Sequence, residues 1–180
     1  MEAVIRQAQG ADLDELMRLE RAGFAPAIQE TAETFAGRLA AFPGGCWVID
    51  GGDGRLYGYL CAEFWPYAPD IDAARFARDH AAADTHRADG TEVYVSSTVI
   101  DPALRGGGWG RRLFEGALAR MQASAPWLCS AILIVHPEWL GARRIYSSAG
   151  FGEIGQIDGY FPGHPAIIMR RSLLSSARRA

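Results

Sequence analysis

The 180-residue sequence contains no lysine: all 18 of its basic side chains are arginine. That absence excludes a P-loop, whose lysine reaches the phosphates, and any Schiff-base chemistry on an enzyme lysine. Cysteine is scarce too. Cys46, Cys61 and Cys129 are far apart and odd in number, with no C-x-x-C pair. This argues against a zinc knuckle or a disulfide framework and suits a reducing cytoplasm. No stretch approaches the roughly 18 apolar residues of a membrane span. The start, Met1-Glu2-Ala3-Val4-Ile5-Arg6, lacks the cationic and apolar regions of a secretion signal. Positive charge is not in excess either: the net charge of −3 disfavours nucleic-acid binding by phosphate neutralisation. What is present is an ordinary globular balance, 49% apolar and 22% charged, at the length of one domain. The expectation is a single cytoplasmic domain over residues 1–180.

Periodicity predicts a mixed α and β chain. A short strand at residues 3–7 precedes a helix opened by Asp12, with Glu15 as its capping-box partner and Leu13, Leu16, Met17 and Glu20 at helical spacing. A second helix from Thr31 carries Phe35, Leu39 and Phe42 and stops at Pro43-Gly44-Gly45. Residues 46–50 and 56–65 read as antiparallel strands, and residues 92–100 as another. Between them, residues 66–90 are an insertion in which 71–83 can form one helix. An amphipathic helix follows Gly106-Gly107-Gly108, and Ala131-Ile132-Leu133-Ile134-Val135 reads as a central strand, apolar on both faces. A helix over residues 140–149 ends at Gly150, a natural left-handed residue, before strands near 151–157 and 166–173.

Chemistry concentrates in Thr98-Val99-Ile100-Asp101-Pro102-Ala103-Leu104-Arg105-Gly106-Gly107-Gly108-Trp109-Gly110-Arg111. A strand, a turn, a glycine-rich loop and a helix N-terminus follow one another. Glycines let the backbone approach an anion, and the unpaired N–H groups of the first helical turn point toward it. The helix dipole adds about 0.3–1 kcal/mol per charge. Such a loop suits a pyrophosphate. A dinucleotide fingerprint is not met, because a G-x-G-x-x-G frame starting at Gly106 or Gly108 reaches arginine where its last glycine belongs.

The run Arg105 to Gly110 matches R/Q-x-x-G-x-G/A and so resembles the acyl-CoA signature of the GNAT family of N-acetyltransferases. Downstream, Ala142-Arg143-Arg144-Ile145-Tyr146-Ser147-Ser148-Ala149-Gly150-Phe151 resembles that family's A-x-x-x-Y-x-x-x-G-F block. The order of elements is similar over nearly the whole chain. The resemblance implies an α/β fold: one mixed, mostly antiparallel sheet of about seven strands, with the fourth and fifth splayed apart. About four helices and a helical insertion would flank it. Acetyl-CoA would be the cosubstrate, with no metal. By the same resemblance, the backbone of Thr98, Val99 and Ile100 would pair with pantetheine. Arg105, Gly106, Gly107, Gly108, Trp109, Gly110 and Arg111 would hold the pyrophosphate, and Tyr146 would be the general acid.

The base is harder to place. An alkylamine of pKa about 10.4 needs roughly 4.6 kcal/mol to lose its proton at pH 7. A side chain or water must therefore take that proton. The branch that acetylates protein N-termini has Glu on its fifth strand, followed by Asn. The matching places here are Ile134 and Trp139. The histone-acetylating branch has Glu where this chain has Tyr94. Glu92 shares that strand face and is the first candidate, with Glu63 second and His136 third. N–H groups at a bulge near Val99 and Ile100 would polarise the thioester carbonyl. His80 and His86 lack a third metal ligand at suitable spacing.

The function expected is acetyl transfer from acetyl-CoA to a primary amine, on a small molecule, by direct attack in a ternary complex. A protein N-terminus as acceptor and an acyl-CoA-binding domain without catalysis are the alternatives. Expected partners are acetyl-CoA and an amine, with a homodimer left open, and neither nucleic acid nor membrane. The insertion is expected either to cover the acceptor or to be a surface helix or dimer contact. Its Asp70, Asp72, Asp79, Asp84 and Asp89 outnumber Arg75, Arg78 and Arg87, a bias suited to a cationic amine.

Overall fold

The computed structural model describes residues 2–174, so Arg178 and Arg179, read above as a solvated tail, lie outside the described residues. The centre of the sheet is made of strands buried on both faces, and β2 (Cys46–Asp50), β3 (Leu56–Trp65) and β4 (Glu92–Ile100) fall as expected. They join β1 (Val4–Gln7), β5 (Ser130–Val135), β6 (Gly152–Phe161) and β7 (His164–Ser172). The resulting seven-stranded sheet has the order β1-β2-β3-β4-β5-β7-β6. Only β4 and β5 run parallel, and α4 (Trp109–Ser124) is the crossover such a pair requires. α5 (Leu140–Ser148) leads into β6.

The two faces of the sheet carry different cores. Val93 and Val95 of β4 and Ala131 and Leu133 of β5 pack against Leu113, Phe114, Ala117 and Leu118 of α4. On the opposite face Val48, Tyr59, Cys61 and Val99 meet Leu16 and Leu19 of α1 (Leu13–Gly23) and Phe35 of α2 (Ala32–Ala41). Leu19 and Phe35 are fully buried, each stabilising by about 1.5–3 kcal/mol.

One residue breaks the regularity. Cys61 of β3 pairs with Ser97, but Ala62 pairs with Val95, so Ser96 is an extra residue in β4. A bulge bends its strand and reverses the side-chain alternation beyond it. Before Ser96, Glu92 and Tyr94 face the α1 side; after it, Ser97 and Val99 do. The bulge lies at Ser96, not near Val99 and Ile100. It coincides with the end of β4–β5 pairing, whose last pair is Val95 with Leu133. Beyond that pair the strands diverge.

Three local expectations are corrected. Asp12 stands at the N-cap of α1 as expected, but with helical geometry and no capping hydrogen bond to the helix; its carboxylate instead accepts from the Gln9 N–H at 2.7 Å and from Arg6. Glu15 is bound by Arg18 and by the Leu56 N–H. β6 continues to Phe161, past residue 157. Residues 71–83 do not form one helix. A 3-10 turn at Ala73–Phe76 and the short α3 (Ala82–Thr85) flank Asp79, which is left-handed at φ 56°. Phe76 docks edge-on against Trp65 and Tyr94, at 5.4 and 5.3 Å between ring centroids, and this packing overrides the alanine-rich helical preference.

The insertion is bolted down by polar contacts. His80 Nε2 lies 2.6 Å from Glu63, and Thr85 donates to the same carboxylate at 2.5 Å. Asp79 accepts from Thr34 of α2 at 2.9 Å. Burial alone would raise the Glu63 carboxyl, but hydrogen bonds from His80 and Thr85 outweigh it and hold the group below its ordinary 4.5. Burial would lower His80, yet the Glu63 contact lifts it above 6.5. The stabilisation from Glu63 is present above pH 4.5 and lost as pH falls through its depressed value. That from His80 is complete below 6.5 and lost as pH rises through its raised value. His80→Gln should therefore destabilise most between pH 4.5 and 6.5 and progressively less in alkali, as read by urea unfolding across pH.

Candidate active site

A cavity of about 730 Å³ runs from the N-terminus of α4, through the gap between β4 and β5, to the inner wall of the insertion. At the first end, Gly108 caps α4 in the left-handed conformation at φ 76°, and a side chain there would meet open space. The first helical N–H with an intrahelical acceptor is that of Arg112, which reaches the Gly108 carbonyl at 3.1 Å. Those of Gly108, Trp109, Gly110 and Arg111 bond no backbone acceptor among the described residues. Four convergent donors at the positive end of a sixteen-residue helix form an anion cradle. Gly106, Gly108, Trp109, Gly110 and Arg111 line the cavity with Arg105; Gly107 does not, its N–H turned toward Leu104 at 3.4 Å.

In the middle, Thr98, Val99 and Ile100 line one wall and Ile134 and Val135 the other. β4 is paired there only with β3, and β5 only with β7, so two strand edges face each other unpaired. An extended ligand with amide groups can complete such edges.

Tyr146 lies between these regions and lines the cavity. A C-terminal lock on α5 places it: the Phe151 N–H donates to the Tyr146 carbonyl and the Gly150 N–H to that of Ser147, both at 3.0 Å, with Gly150 at φ 88°. Phe114 packs on its ring at 5.0 Å. Burial pushes the phenol well up, so it remains protonated and able to donate.

None of the three base candidates lines the cavity. Glu92 is fully buried, accepts from Ser130 at 2.7 Å and lies 2.9 Å from the Arg170 guanidinium. Glu63 is occupied by His80, Thr85 and the Trp65 indole N–H. His136 Nδ1 accepts the Glu138 N–H at 3.1 Å, and its ring stacks on Trp139. The geometry thus assigns Glu92 and Glu63 to structural pairs. The acidic residues of the insertion do not form the lining either: its contribution is Ala77, Arg78 and His80.

Two groupings escaped the sequence reading. Glu20, Tyr59 and Ser97 form a buried hydrogen-bonded series beside the cavity. Glu20 was legible as a carboxylate on the apolar face of α1, whereas Ser97 was hidden by the shift in alternation. His136, Glu138 and His164 bring ligand-type atoms within 4.8 Å of one another. The Glu138 N–H already engages His136, which ties that ring into the turn after β5.

The profile of the Acetyltransferase (GNAT) family matches residues 13–151, and the chain belongs to that family. No curated protein matches the chain. Among solved structures it is similar to the GphF GNAT-like decarboxylase in complex with isobutyryl-CoA. The TM-score is 0.79 and the identity 22%, over 95% of this chain and 100% of that one. The ribosomal-protein-S18-alanine N-acetyltransferase from Escherichia coli gives 0.72 and 17%, over 99% and 98%. NAA60 of Arabidopsis thaliana in complex with acetyl-CoA gives 0.72 and 18%, over 95% and 98%. These likenesses establish the fold.

Two substitutions check the site. Glu92→Gln leaves the Arg170 charge without its counterion and should cost roughly 3 kcal/mol in urea unfolding. Its CoA affinity, measured by calorimetry on the folded variant, should equal the parent's. Gly108→Asp places a negative charge where anionic oxygens would approach. It should weaken CoA binding at least about tenfold in the same titration, since repulsion and lost cradle geometry act together.

Proposed function

We propose that the protein is an acetyl-CoA-dependent N-acetyltransferase acting on a primary amine of a small molecule. The observation that carries this reading is the continuity of the cavity: anion cradle, open strand edges, buried phenol and an end lined by the insertion belong to one cavity. The cradle from Gly108 to Arg111 would receive the pyrophosphate, with Arg105 and Arg111 adding charge. The β4 edge at Thr98 to Ile100 would hold the pantetheine amides as an added strand. Acetyl-CoA is the substrate such a path fits.

The amine attacks the thioester carbon directly, forming the C–N bond as the C–S bond breaks. Tyr146 gives the departing thiolate its proton and recovers one from the newly acylated nitrogen, which sheds its extra N–H proton as the amide forms. Ala77, Arg78, His80 and Tyr160 line the acceptor end, so the insertion narrows the space beside β4, which supports a compact amine over a polypeptide. Ile134 and Trp139, at the positions where N-terminal acetyltransferases carry acid and amide groups, support the same choice. No helix among the described residues is long and apolar enough to cross a membrane.

The test is CoA release from acetyl-CoA across pooled primary amines and peptides. Release with small amines supports the reading. Release only with peptides moves the acceptor to protein N-termini. Tight CoA binding with no release assigns the chain to acyl-CoA binding alone. Tyr146→Phe should lower kcat by at least about tenfold with little change in the Kd for acetyl-CoA, because the lost interaction belongs to the transition state.

A further inference from the structure

The proposed reaction leaves the ammonium proton without a destination, and a buried hydrogen-bonded series behind β4 reaches the cavity at Ser97. The Tyr59 hydroxyl donates to the Glu20 carboxylate, and Ser97 Oγ lies 3.0 Å from the Tyr59 oxygen. Tyrosine has a single hydroxyl proton, here committed to Glu20, so Ser97 is the donor in the second bond. Its own oxygen then keeps free lone pairs. Ser97 and Glu20 both border the cavity, while Tyr59, between them, is fully buried.

Glu20 is set apart from the other buried carboxylates by what holds it. Glu92 faces Arg170, and Glu63 faces His80 with two further donors. Glu20 has no cation in contact among the described residues; its partners are the Tyr59 hydroxyl and the Glu30 backbone N–H at 2.8 Å. The charged groups facing it are the Glu30 carboxylate before α2 and Arg38 of α2. Arg38 is engaged twice by Glu30 at 2.6 Å, so most of its charge is answered there. Burial raises the Glu20 carboxyl above its ordinary 4.5 against the Tyr59 and Glu30 hydrogen bonds, which makes it a better proton acceptor than a surface carboxylate.

Resting on the acetyltransferase reading, we propose that Ser97, Tyr59 and Glu20 form a proton relay that deprotonates the acceptor ammonium. Ser97 Oγ takes the proton as the substrate N–H bond breaks. Its own proton passes to the Tyr59 oxygen, and the Tyr59 proton passes to Glu20 as the new O–H bond forms. Serine and tyrosine end neutral, Glu20 ends as a carboxylic acid, and the amine is left with the lone pair that attacks the thioester. Ser97 is the residue that touches substrate; Tyr59 and Glu20 act through it.

The experiment measures kcat/KM across pH for the parent and for Ser97→Ala, Tyr59→Phe and Glu20→Gln. The substrates are acetyl-CoA and the best amine from a pool of alkylamines, aralkylamines and amino-acid amides. Each variant should lose about 10²-fold at pH 7 with its acetyl-CoA Kd unchanged by calorimetry. The deficit should shrink as pH rises toward the amine's own pKa of about 10.4, where no proton need be taken. The Ser97→Ala/Glu20→Gln double variant should be no slower than either single one, since both cut the same path. Ser97→Thr, which keeps the hydroxyl, should retain most of the rate. Ser97→Ala carries the test if the buried variants fail to fold. A folded Ser97→Ala protein with the parent's rate and pH profile overturns the relay and leaves the acetyltransferase reading standing. A parent that acetylates nothing in the pool overturns both.

Discussion

The extra residue at Ser96 is the constraint on which the site depends. β4 enters the sheet paired on both sides and leaves it paired on one, because the bulge turns its backbone away from β5 where the last shared pair ends. The same insertion of one residue moves Ser97 and Val99 to the α1 face. Val99 thereby closes the core beneath α1, and Ser97 meets Tyr59. A straight β4 would have a continuous ladder, no gap, and a threonine and a serine exchanged between the two sides.

Buried charge does a different job. Glu30 with Arg38, Glu63 with His80, and Glu92 with Arg170 each tie one segment to another: the loop before α2 to that helix, the insertion to β3, and β7 to β4. Such pairs contribute little net energy compared with apolar packing, because desolvation offsets most of the attraction. They are costly to leave half-made, and so they fix which loop sits where. The insertion, which lines one end of the cavity, is among the segments so fixed. Specificity of placement, more than added stability, is what these pairs supply.

The sheet and its motifs were legible because they rest on local signals. Runs of strand-forming residues between turn signals bounded β2, β3 and β4 to the residue, and the glycines at 108 and 150 marked a helix start and a helix end that the backbone angles bear out. Three things were not legible, each for a non-local reason. The insertion reads as a helix by composition, but Phe76 gains more by docking on Trp65 and Tyr94 than the segment gains from helical hydrogen bonds. Glu92 reads as available until Arg170, 78 positions away, is placed beside it. Ser97 reads as facing away from the α1 side until the register is known. The conformation of the glycine loop was therefore visible in advance, whereas the charge partners of the buried carboxylates were not.

The short β4–β5 ladder has a mechanical meaning as well. Only four residue pairs join the half-sheet β1–β4 to the half-sheet β5–β7, and everything beyond Val95 is a notch cut into the middle of the sheet. The chain is thus nearly two leaves sewn along a short seam, with α4 as the strap between them. A molecule lying in the notch would bond to both leaves and act as the missing length of seam. Substrate would then be part of the sheet's architecture, and the cooperativity with which the two leaves unfold would depend on whether it is there.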